Sequence, residues 1–96
     1  MATFAVFRER GPAWDWSRPL EAQDGWMEHA AFMEALVADG FVRLGGPLGD
    51  ERRVLLVVEA ESEAAVRERL AGDPWPEEML RLAAIEPWQL RLGRLS

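Results

Sequence analysis

The chain contains no cysteine. Disulfides, thiolate metal sites and a cysteine nucleophile are therefore excluded. Lysine is absent too; all 11 basic residues are arginine, a mark of a GC-rich genome rather than of a function. Histidine occurs once, at position 29. One imidazole among scattered carboxylates does not make a zinc set, and no His-x-x-x-His pair exists. No metal and no cofactor are expected. No glycine-rich phosphate loop follows a strand and opens a helix, and no serine sits in a nucleophile elbow. No apolar run approaches membrane-spanning length, so no membrane is expected as a partner. The first residues, Met1 to Arg8, are too short and too soon charged for a secretory signal, which makes the cytoplasm the expected location. Basic charge is also in deficit: 17 acidic residues leave a net charge of −6. An acidic surface repels phosphate backbones, and the arginines form no stripe, so nucleic acid is not an expected partner.

What is present is apolar surface. The chain has 96 residues, which fits one domain over residues 1–96, yet 49% are hydrophobic and five are tryptophan. A core this small hides a limited area, and a second copy of the chain would hide the excess.

Thr3 to Arg8 predicts a first strand, apolar on both faces. Residues 9–23 hold Gly11-Pro12 and Arg18-Pro19 and read as a long connection or a ragged helix start. A helix is expected over about 24–38, capped by Asp24 and ended by Gly40. At helical spacing Trp26, His29, Ala30, Met33, Leu36 and Val37 share one arc, the expected buried face. A short strand at Phe41 to Leu44 is expected to stop at Gly45-Gly46-Pro47, and Val54 to Val58 predicts an unbroken apolar strand. Ser62 caps a second helix that Gly72 ends. Asp73-Pro74-Trp75-Pro76 cannot continue that helix. A short helical turn is expected from Glu77 to Arg81, then a last strand over roughly Ala83 to Leu92, with Trp88, Leu90 and Leu92 alternating with polar residues.

The order β-α-β-β-α-β predicts an α+β, ferredoxin-like fold: a four-stranded antiparallel sheet with two helices on one face. Its first and third strands are central, and those are the two continuous apolar segments here; Pro87 suits an edge. The face without helices needs another layer, most simply the same face of a second copy.

That topology draws four segments to one rim: the early turns of the first helix with His29, the end of the second helix with Asp73, the end of the first strand with Arg8, and Gly45-Gly46-Pro47. A carboxylate beside an imidazole fixes its tautomer and stabilises its charged form, which suits a general acid or base. Two glycines let a ligand approach the backbone. Arg8, Arg52 or Arg53 is placed to hold a substrate carboxylate. On local grounds alone Asp73 is a turn former, His29 a satisfied core residue, and Trp14, Trp16, Trp75 and Trp88 a dimer seam before a pocket wall.

At these residues the chain resembles the YCII-related (YciI-like) family. The resemblance lies in the opening strand Phe4-Ala5-Val6-Phe7-Arg8, the helix segment Trp26-Met27-Glu28-His29-Ala30-Ala31-Phe32-Met33, Gly40-Phe41-Val42 leading to Gly45-Gly46-Pro47-Leu48, Gly72-Asp73-Pro74-Trp75, and the closing Ile85-Glu86-Pro87-Trp88. It implies a dimeric α/β barrel related to muconolactone isomerases, with a His–Asp active site that maps to His29 and Asp73. It also implies kinship with a branch that removes chloride from a chlorinated hydroxyquinol without a cofactor. The chain departs from the family in having Trp75 where Phe or Tyr is common after Asp-Pro, in lacking a glycine a few residues later, and in its long tryptophan-bearing link after the first strand; each reshapes the pocket.

The leading expectation is therefore a cofactor-free small-molecule enzyme of the lyase, isomerase or hydrolase kind. His29 and Asp73 would be catalytic, and Arg8, Trp26, Gly45, Gly46, Pro47 and Trp75 would bind substrate. The alternatives are a non-catalytic small-ligand-binding module and a structural dimerisation module.

Overall fold

In the computed structural model, which describes residues 1–94, the elements are β1 (Ala2–Arg10), α1 (Trp26–Ala38), β2 (Val42–Pro47), β3 (Arg53–Ala60), α2 (Glu63–Leu70) and β4 (Leu80–Pro87). One 3-10 turn, Leu20–Ala22, interrupts the connection between β1 and α1. The sheet order is β2-β3-β1-β4, and every neighbouring pair is antiparallel. This is the ferredoxin-like α+β fold, with the two continuous apolar strands at its centre. No helix among the described residues is long and apolar enough to cross a membrane.

One face of the sheet carries the core. Phe4 and Val6 of β1, Leu56 and Val58 of β3 and Ile85 of β4 pack against Leu36 of α1 and Val66 and Leu70 of α2. Val6, Val58 and Val66 are wholly enclosed. Each such side chain contributes about 1.5–3 kcal/mol through removal from water. Alternation along the strands sends Ala5, Phe7, Leu55 and Val57 to the other face. Leu44, paired with Val57, joins them there and is 59% exposed.

Ser62 caps α2, accepting the Ala65 backbone N–H at 3.1 Å. The first helix begins differently. Its cap position is Gly25, in the left-handed region at φ 77°, and Asp24 makes no cap bond; its carboxylate faces solvent near Arg18. Val37, expected on the buried arc of α1, is 55% exposed.

Two strand limits also differ from expectation. Gly45, Gly46 and Pro47 do not end β2 but belong to it, opposite Leu56, Leu55 and Val54. A glycine pair keeps its ladder groups, and an edge strand tolerates proline. The last strand starts earlier and stops earlier. Because β1 runs on to Arg10, it pairs with Leu80; the turn at 77–79, in which the Met79 and Leu80 N–H groups donate to the Pro76 carbonyl, therefore gives way to β4 at Leu80. At its other end β4 reaches the beginning of β1. Trp88 N–H still donates to the Thr3 carbonyl at 2.9 Å, but no partner strand remains for Leu90 and Leu92.

Candidate functional site

Arg8, Gln23 and His29 are buried polar residues among the described residues, and the side chain of Asp73 is enclosed with them. His29 sits in the first turn of α1 and is 8% exposed. Asp73 stands three residues beyond the end of α2, its backbone N–H donating to the Leu70 carbonyl. The two side chains meet: His29 Nδ1 lies 2.8 Å from Asp73 Oδ1 and 3.0 Å from Oδ2. Arg8 Nη1 donates to Oδ2 at 2.7 Å, and the Trp75 backbone N–H donates to Oδ1 at 2.9 Å.

The Asp73 carboxyl is held below its ordinary value of 3.8. Burial pushes the other way, but the bonds from His29, the Trp75 backbone and Arg8 together outweigh it. An ionised carboxylate only accepts, so Nδ1 carries a proton toward Asp73, and whenever the ring is neutral its lone pair stands on Nε2.

Trp75 orders the site. Its ring stacks on His29 with centroids 3.8 Å apart and planes 11° from parallel. Its indole N–H donates to the Asp24 carbonyl at 2.7 Å, and Trp14 meets it edge-on at 5.4 Å. Gly25 makes room for this: a Cβ there would stand 3.1 Å from the indole nitrogen, on a backbone conformation that side chains avoid. The Asp24-Gly25 pair ahead of the helix was the available signal for this arrangement.

A cavity of about 330 Å³ opens beside His29. Trp26 and Trp75 line it, as do Gly45, Gly46 and Pro47 from β2. A Cβ at Gly45 would come within 2.6 Å of Leu56 Cδ2, so a side chain there would require that methyl group to shift. Arg8 lines the cavity too, but its terminal nitrogens bond Asp73 and, at 3.0 Å, the Leu80 carbonyl. Arg8 thus orients the carboxylate. Asp73 stands behind the histidine and borders a separate hollow with Arg8. Arg52 and Arg53 do not line the cavity wall; Arg52 lies over Trp16 at 5.2 Å.

The segment 11–25, read from sequence as a connection, supplies Trp14 and Leu20 to the wall. Gln23 pins it: its side chain accepts from the Asp15 N–H at 3.0 Å and donates to the carbonyls of Asp15 and Arg18. Among the described residues no group of three or more His, Cys, Asp or Glu stands close enough to hold a metal.

No family model and no curated protein matches the chain. Among solved structures it is similar to 5-chloro-2-hydroxyhydroquinone dehydrochlorinase (TftG) from Burkholderia phenoliruptrix AC1100, in complex with 2,5-dihydroxybenzoquinone. The two share 25% sequence identity and a TM-score of 0.59 over 95% of each chain. The related fold therefore extends over nearly the whole sequence.

Proposed function

We propose that the protein is a YciI-like, cofactor-free enzyme of the lyase, isomerase or hydrolase kind, in which His29 transfers a proton on a small aromatic or carboxylated substrate. The observation that carries this reading is the His29–Asp73 pair at 2.8 Å, with the ring facing an open cavity. His29 Nε2 accepts a proton from the substrate, and Asp73 balances the imidazolium that results. In an isomerase the proton returns at another atom. In a lyase a leaving group departs with its bonding electron pair. The likeness to a dehydrochlorinase supports the lyase form, in which a proton goes to His29 and chloride leaves. A purely structural histidine would be sealed in with its nitrogens on backbone groups; this one bonds a carboxylate and borders a hollow.

The test is chloride release from 5-chloro-2-hydroxyhydroquinone and related halogenated hydroxyarenes. His29→Gln is expected to lower the rate by about 10²–10⁴-fold while the far-ultraviolet spectrum stays unchanged. An unaltered rate, or an unfolded variant, would end the catalytic role. Nitrogen-15 spectra of His29 test the same reading without a substrate: a proton on Nε2 instead of Nδ1 near neutral pH would leave no base to act.

We further infer a homodimer in which the helix-free faces of two sheets meet. Phe7, Leu44, Leu55 and Val57 would lie in that layer. Sedimentation is expected to give twice the chain mass and Leu44→Glu to give the single mass; a monomeric wild type would refute the arrangement.

A further inference from the structure

The charge on the cavity wall is opposite to that of the molecule. The chain has 17 acidic residues, yet none lines the cavity beside His29, while Arg8 and Arg10 both do. The two arginines are not equivalent. Arg8 is matched by Asp73 and the Leu80 carbonyl. Arg10, two residues further along the same face of β1, has no side-chain hydrogen bond or ion pair among the described residues; its Nε, like that of Arg8, is buried without a partner. What holds it is aromatic: its guanidinium lies 4.1 Å from the Trp14 ring centre and 5.8 Å from that of Trp16. Such a stack uses the face of the guanidinium and leaves its in-plane N–H donors free.

The placement is rigid. Trp14 is 6% exposed, braced edge-on by Trp75, and its loop is pinned by Gln23. Partial burial lowers the pKa of Arg10, and Glu51 opposes that only across space, so the half-buried cation lacks a contact counter-ion. Such a group gains from an anion that fits its fork. Two residues along a strand span about 7 Å. The backbones of Arg8 and Arg10 are thus about one ring length apart along β1.

We propose that Arg10 is the anion anchor of this cavity and that its ligands are aromatic monocarboxylates. The carboxylate pairs with the Arg10 donors, and the ring lies among Trp26, Met33 and Pro47 toward His29. This deepens the function proposed above and rests on it only for the role of His29. Recognition at Arg10 stands or falls by itself.

Calorimetry with 2,5-dihydroxybenzoate and its neutral isostere 2,5-dihydroxybenzamide tests it. The acid is expected to bind wild type at least about tenfold more tightly than the amide, since a charge-assisted bond is replaced by a neutral one. Arg10→Met, which keeps the stem packed on Trp14, is expected to bring the ratio to about one; Arg10→Lys is expected to keep part of it. His29→Gln is expected to retain the preference, which separates failure of the proton-transfer reading from failure of the anchor. The wild-type ratio requires no variant to fold. Equal affinity for acid and amide, binding of neither, or a preference that survives in a folded Arg10→Met protein overturns the proposal.

Discussion

Two buried clusters divide this small molecule. Between sheet and helices lie Phe4, Val6, Leu36, Leu56, Val58, Val66 and Leu70, with no polar side chain among them. At the far end of β1, Trp14, Trp75, Met79 and Leu80 pack instead around Arg8 and His29. The aliphatic cluster is held by non-directional contact, so substitutions that conserve volume leave it working. The aromatic cluster depends on directional bonds and borders the cavity beside His29. Buried charge is a poor route to stability unless every partner is present. Arg8, Asp73 and His29 therefore concentrate the buried polar groups at one end of the molecule, while the aliphatic end supplies the stability that tolerates them.

Removing the shared carboxylate should break the aromatic end most severely. Asp73→Ala leaves Arg8 buried without its counter-ion, and the expected loss is about 3–5 kcal/mol in urea unfolding. A loss no larger than a surface substitution would mean that the network carries no structural weight. Leu36→Ala probes the other cluster. It should cost about 2–5 kcal/mol while ligand affinity per folded molecule stays constant. Altered affinity would show that the two ends are coupled.

Acid sharpens the contrast with a smaller effect. Asp73 has a folded pKa below its ordinary 3.8, so its stabilising contribution is present above that pH and lost as pH falls through the lower folded value. Near-ultraviolet ellipticity, which reports the tryptophans, is expected to fade on acidification ahead of the far-ultraviolet signal. Asp73→Asn should remove that early phase; its persistence would point to another titrating group.

The fold was legible because its signals are local. The continuous apolar runs of β1 and β3, the Ser62 cap and the stop at Gly40 all appear in the structure where periodicity and turn chemistry predict them. Errors fell where a neighbouring strand decided the outcome. β4 starts at Leu80 because β1 extends to Arg10, and β2 passes through Gly45 and Gly46 because β3 offers partners there. Neither limit is a property of the segment itself.

The candidate site divides in the same way. The residue types and their order along the chain already carried His29 and Asp73 to one rim, since helix direction and strand order follow from connectivity. Tertiary packing alone decided that Trp75 lies flat on the histidine, that Gly25 admits it, and that Arg8 faces Asp73 while Arg10 lies over Trp14. Periodicity assigns a side chain to a face. Which groups touch across 44 or 65 residues depends on how helix, strand and loop settle against one another, and no segment of this sequence encodes that alone.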